Sequence, residues 1–141
     1  MYLIDTNVIS EARKGPAAQA GVIEFFRCCL EQGALVYLSA VTVGELRRGV
    51  DLIRHRGDTP QADRLETWLQ QVVEEYQECI LPFDLEIAQI WGRLRAPNPQ
   101  NALDKQIAAT ALLYDLTLVT RNTADVAGTG VRYLDPFAVG N

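Results

Sequence analysis

Apolar and polar positions alternate between two periods along the chain. Five short apolar runs, at residues 2–4, 35–38, 79–81, 117–119 and 131–134, have the length of buried strands. Between them lie segments with helical spacing, at 7–13, 17–32, 41–56, 61–77, 85–94 and 102–114. Leu65, Trp68, Leu69, Val72, Val73 and Tyr76, for instance, repeat at the i, i+3, i+4 interval of one helix face. Strands separated by helices need crossover connections, and those favour one handedness. The pattern therefore predicts an α/β fold: a three-layer α/β/α sandwich around a mostly parallel central sheet.

Punctuation supports these boundaries. Gly15-Pro16 separates the first two helices, Gly57-Asp58-Thr59-Pro60 breaks the middle pair, and Ala96-Pro97-Asn98-Pro99 stops the helix after Leu94. No break resembles an interdomain linker, so residues 1–141 are expected to form a single domain. The consecutive helices over 41–77 interrupt the alternation and predict a two-helix arm. Trp68, Trp91, Phe25 and Phe26 either pack in the core or line a groove beside it.

Charge and residue usage narrow the chemistry. Thirteen Lys plus Arg against eighteen Asp plus Glu give a net charge of -5, the wrong sign for holding nucleic acid by bulk electrostatics. Cys28, Cys29 and Cys79 offer neither a disulfide framework nor a C-x-x-C zinc site and read as small core residues. The lone His55 sits in the charged run 54–58, the only serines are Ser10 and Ser39, and the only lysines are Lys14 and Lys105. A Ser-His-Asp triad has almost no stock to draw on, and no Gly-rich phosphate loop exists. A phosphoacceptor receiver domain would need paired acids after the first strand and a lysine after the last, and neither is present. No apolar run reaches the ~20 residues of a membrane span, so a cytoplasmic location is the expectation. Any enzymatic chemistry here runs on carboxylates.

Four acids could share one end of the sheet. Asp5 follows the first strand, Glu45 lies early in the helix after the second, Asp104 opens the helix over 102–114, and Asp125 falls in the loop after the fourth strand. Each has a local explanation as well. Asp5 could cap a helix, Glu45 could pair with Arg48, Asp104 could complement a helix dipole, and Asp125 could belong to a turn. Gathered in one cleft they would repel one another unless a cation sat among them. An oxygen-only donor set points to Mg²⁺ or Mn²⁺ rather than zinc. Such an ion would also let an acidic protein engage a phosphodiester. Thr6 and Thr120 could assist through their hydroxyls.

The motifs Leu3-Ile4-Asp5-Thr6-Asn7, Val43-Gly44-Glu45-Leu46, Asp104-Lys105-Gln106-Ile107-Ala108-Ala109 and Leu118-Val119-Thr120-Arg121-Asn122, followed by Asp125 and Gly128-Thr129-Gly130-Val131, resemble the PIN-domain family across essentially the whole chain. The resemblance extends to the VapC-type toxin ribonucleases of bacterial toxin–antitoxin pairs and their FitB-like relatives. It implies a Mg²⁺- or Mn²⁺-dependent endoribonuclease, commonly a homodimer, restrained by a cognate VapB-like antitoxin. Asp5, Glu45 and Asp104 match the family's three most regular acids. Many members carry Asp where this chain has Asn122; others have Asp three residues later, usually before Phe, whereas Asp125 here precedes Val126. Asp125 is assigned as fourth acid, with Asn122 the alternative. The implied reaction is in-line cleavage of RNA leaving 5′-phosphate and 3′-hydroxyl ends, with Arg47, Arg48 and Arg121 as candidate phosphate contacts. The resemblance also allows a binding module that works mainly with a DNA-binding antitoxin in a larger operator-binding assembly. It implies an antitoxin tail in an apolar groove beside the arm helices.

Overall fold

A computed structural model describes residues 1–138. The strands are β1 (Tyr2–Ile4), β2 (Val36–Ser39), β3 (Ile80–Leu81), β4 (Thr117–Val119) and β5 (Tyr133–Leu134). The helices are α1 (Thr6–Ala12), α2 (Ala20–Gln32), α3 (Ala40–His55), α4 (Thr59–Glu75), α5 (Leu85–Arg95), α6 (Ala102–Leu113) and α7 (Thr123–Val126). The strands form one sheet in the order β3-β2-β1-β4-β5, and every neighbouring pair is parallel.

The chain winds outward from β1 to β3, then crosses back to place β4 on the other side of β1. A reversal of direction with constant crossover handedness puts the two groups of helices on opposite faces. The core divides accordingly. Ile4 and Val119 pack with Val8, Val22, Leu46, Val50, Leu69 and Val72 from α1 to α4. Their strand neighbours Leu3 and Leu118 point the other way, into Ile107, Ala108 and Ala111 of α6 and Val126 of α7. The expected arm is the α3–α4 pair, and its inner face, through Leu46, Val50, Leu69 and Val72, belongs to the first of these clusters.

Several expected boundaries move by a residue or two, and three departures are larger. The segment at 17–19 is not helical: Gly15–Ala17 forms a 3₁₀ turn, and α2 starts at Ala20 after Gln19, whose side chain accepts from the Gly21 and Val22 N–H groups. Helix α2 ends at Gly33, whose φ of 61° suits a residue without a Cβ. The fifth strand is only Tyr133–Leu134, because Val131 and Arg132 approach β4 without strand geometry. The expected loop after β4 contains α7, one short helix that carries Asp125.

Candidate active site

Asp5 directly follows β1 and Thr120 directly follows β4, and parallel pairing of the strands brings the two together. Ile4 registers with Val119, and the Asp5 N–H donates to the Val119 carbonyl at 2.9 Å. This is the crevice where the strand order reverses, the usual ligand position in an open parallel sheet. Asp5 is only 3% exposed. Its Oδ1 accepts the Thr6 N–H at 2.7 Å, so the expected cap is real, and its Oδ2 accepts the Thr120 hydroxyl at 2.6 Å and the Asn7 side-chain amide at 3.5 Å. Burial nevertheless pushes the Asp5 carboxyl above the ordinary aspartate range, against these three bonds, and the charge of Asp125 adds to the rise.

Asp104 occupies the first turn of α6, half-buried, with its Oδ1 3.4 Å from the Asn122 side-chain amide. Its carboxyl is also raised, first by burial; the charges of Asp5 and Asp125 and a hydrogen bond with Asp125 push the same way, while Asn122 opposes them. The charge of Asp125 therefore acts on both Asp5 and Asp104, and that of Asp5 on Asp104. Thr120 links the set, since its hydroxyl donates to Asp5 and accepts the Asn122 N–H at 2.9 Å.

The remaining predicted acid is Glu45. It is half-buried on α3, a helix that packs against both α1 and α6, but it is not among the groups acting most strongly on Asp5 or Asp104. The expected Glu45–Arg48 pair is absent among the described residues, and Arg48 lies exposed. The Arg47 guanidinium grips both oxygens of Glu66 on α4, at 2.7 and 2.6 Å, with Asp51 at 3.7 Å, and so fastens the helix pair.

The donor set suits a hard dication, being oxygen only. Two buried hydroxyls, Thr6 Oγ1 and Thr42 Oγ1, have no hydrogen-bond partner among the described residues; one adjoins Asp5 in sequence and the other precedes Glu45 by three positions on α3. Orphaned buried oxygens of this kind call for an unseen partner such as water or an ion. Among the described residues, however, no three His, Cys, Asp or Glu side chains already form a group able to hold a metal ion.

Two residues around the site were not singled out by sequence reasoning. Asn7 bridges β1 and β4, its Nδ2 reaching Asp5 and its Oδ1 accepting the Arg121 N–H at 3.1 Å. Lys105, only 4% exposed, donates from Nζ to the carbonyl oxygens of Asn98 and, at 2.7 Å, Gln100, pinning the loop that precedes Asp104. Asn7 follows a strand-end acid by two positions, the one signal that could have drawn notice to it; nothing in the sequence marks Lys105 as buried. The large aromatics mostly pack: Phe25, Phe26 and Trp68 lie against the first core cluster, and Trp91 stacks edge-on with Phe83 while its Nε1 donates to the Ala102 carbonyl at 3.0 Å.

Comparison with known proteins gives the chain's relatives. The chain is 36% identical over 143 aligned residues to "Toxin FitB" of Neisseria gonorrhoeae, covering 97% of this chain and 99% of that protein. It is 31% identical to "VapC ribonuclease Y4jK" of Sinorhizobium fredii, covering 97% and 98% respectively. The crystal structure of FitAcB from Neisseria gonorrhoeae superposes with a TM-score of 0.82 at 35% identity, over 97% of this chain and 99% of that one. A structure of FitAB bound to an IR36 DNA fragment gives 0.81 at 34%, over 97% and 96%. A family model for the PIN domain matches residues 2–125, the span that runs from the first strand to Asp125, and the chain belongs to the PIN domain family.

Proposed function

We propose that this protein is the toxin of a toxin–antitoxin pair and acts as a divalent-metal-dependent endoribonuclease. The single observation that carries the reading is the hydrogen-bond chain that runs from Asp5 through Thr120 and Asn122 to Asp104 at the crevice between β1 and β4, with the charge of Asp125 acting on both aspartates. Like charges brought this close are costly, and a dication is the simplest agent that makes the arrangement worthwhile. The relatives named as a toxin and as a ribonuclease support the same assignment.

Asp5, Asp104 and Asp125 would hold Mg²⁺ or Mn²⁺, with Glu45 reaching in from α3 and Asn122 available as an alternative oxygen. When bound, the ion offsets phosphodiester charge and lowers the pKa of water for in-line attack. The protein's part is positional. Thr120 and Thr6 fix both oxygens of Asp5, so the carboxylate is aimed before any ligand arrives. Asn122 steadies Asp104. Burial at the crevice strengthens each electrostatic contact by excluding water. Arg48 and Arg121 are the arginines left to meet the substrate backbone. The protein works as a homodimer under the control of a VapB-like antitoxin, and the likeness to DNA-bound FitAB supports an assembly that meets operator DNA through that antitoxin.

The test uses purified protein freed of any partner, incubated with structured RNA and Mn²⁺. Cleavage with 5′-phosphate and 3′-hydroxyl ends, lost in Asp5→Asn and in chelator, is expected. Absence of cleavage of any RNA, with the protein folded and antitoxin binding retained, would overturn the nuclease reading and favour a binding module that serves the DNA-bound complex.

A further inference from the structure

Arg121 lies between Thr120, which donates to Asp5, and Asn122, which donates to Asp104. Its backbone is fastened by the Asn7 side chain, and its guanidinium carbon sits 4.0 Å from the centre of the Phe137 ring, close enough for direct stacking. Among the described residues it forms no ion pair, in contrast to Arg47, Arg54 and Arg132. An exposed arginine held over a flat ring keeps its N–H edges outward, which is the geometry a phosphate needs.

The ring is itself anchored. Phe137 is 6% exposed within the first core cluster. Its carbonyl accepts from Gln19 Nε2 at 3.1 Å, and its N–H donates to Asp135 at 2.9 Å. Gln19 also caps α2 and donates its own N–H to Glu11 at 2.9 Å. The Glu11 carboxyl, held low mainly by Lys14 and the Gln19 N–H, also feels the Arg121 charge. Residue 137 lies beyond the 2–125 span matched by the family model.

We propose that Phe137 is a positioning residue whose ring holds the Arg121 guanidinium beside the acid pocket as a pre-set clamp for an RNA phosphate. The proposal rests on the reading that RNA enters this crevice. Its physical content is pre-organisation: an arginine already fixed does not have to be immobilised when substrate binds.

The test measures binding of a fluorescently labelled single-stranded oligoribonucleotide to the full chain carrying Asp5→Asn, by anisotropy across a salt series. Arg121→Met should flatten the slope of log affinity against log salt by about 0.7, the value of one single-strand phosphate contact. Phe137→Leu should weaken binding about three- to tenfold, the expected cost of ordering one long side chain. Phe137→Tyr should restore it, and Phe137→Leu should add nothing once Arg121 is Met. A purely structural Phe137 would instead lower the melting temperature and leave RNA affinity and salt slope alone, which would overturn the proposal; fully additive losses would do the same. Should Phe137→Leu fail to fold, Arg121→Lys decides, since it keeps the charge at an exposed position and loses the flat stacking: affinity equal to that of the parent refutes the clamp. Wild-type cleavage, run alongside, separates the two ideas. A protein that cleaves RNA but binds it equally well with Arg121→Met loses only the clamp. One that binds through Arg121 without cleaving keeps the clamp and loses the nuclease assignment.

Discussion

Replacing Thr120 with Val keeps the shape of a fully buried side chain and removes one hydroxyl. That hydroxyl makes a 2.6 Å bond to the Asp5 carboxylate and accepts the Asn122 N–H at 2.9 Å. A bond to a charged group contributes about 1.5–3 kcal/mol, while the N–H of the exposed Asn122 can turn to water, so the expected loss is about 2–3 kcal/mol. For a chain of this size that is a fall of roughly 6–12 °C in melting temperature, read by calorimetry in chelator near neutral pH. The loss has a defined pH dependence. Thr120 donates to the ionised carboxylate and so holds the Asp5 pKa below what burial alone would impose; in the variant it rises further above 3.8. The Thr120 contribution is therefore complete where Asp5 is ionised and fades as pH falls through the folded-state pKa toward the unfolded value of about 4. Thr120→Ser, which keeps the donor, should recover most of the loss. A difference between the parent and the Thr120→Val protein that is below about 1 kcal/mol, or that stays constant down to acid pH, would show that the bond to Asp5 does not organise the pocket.

Three further perturbations discriminate. Asp5→Asn removes a buried charge whose pKa is raised, so in chelator near neutral pH the apo variant should be more stable than the parent by about 0.5–2 kcal/mol, the advantage shrinking as the pH drops and Asp5 protonates; added Mn²⁺ should raise the melting temperature of the parent alone. Lys105→Met should destabilise by about 2 kcal/mol and speed hydrogen exchange and proteolysis over residues 96–101, because two carbonyl oxygens lose a charged donor. Arg47→Ala should cost no more than about 1 kcal/mol, as its pairs are solvent-exposed, and should leave RNA affinity unchanged; a large loss of RNA binding would restore Arg47 as a phosphate contact.

What the sequence could reveal depended on how far apart the interacting residues are. Tyr2–Ile4 and Thr117–Val119 were legible because an uninterrupted apolar run buried on both faces needs no long-range information. The start of α2 was misplaced since Ala17 and Ala18 favour helix locally, while the cap is Gln19, a residue type that seldom signals one. Helix α7 is four residues long, too short for any periodicity to appear. In the pocket, Asp5 is legible through its strand-end position and Asp104 through its place in the first turn of a helix. The Thr120 bond to Asp5 joins residues 115 apart, and the Arg47–Glu66 pair joins residues 19 apart across a helix turn, so composition could suggest either partner for these side chains but not choose. Lys105 shows the limit most plainly: lysine usually stays in water, and only the loop folded over it makes burial tolerable.

The crossing back of the chain, which sets β4 beside the very first strand, also governs when the molecule can become dangerous to its maker. A ribosome must deliver almost the full polypeptide before the final pieces of the cleft exist, and closing so large a loop is slow. Nascent or prematurely terminated copies would thus be harmless, leaving the cell an interval in which inhibitor can be made before the first competent molecule appears.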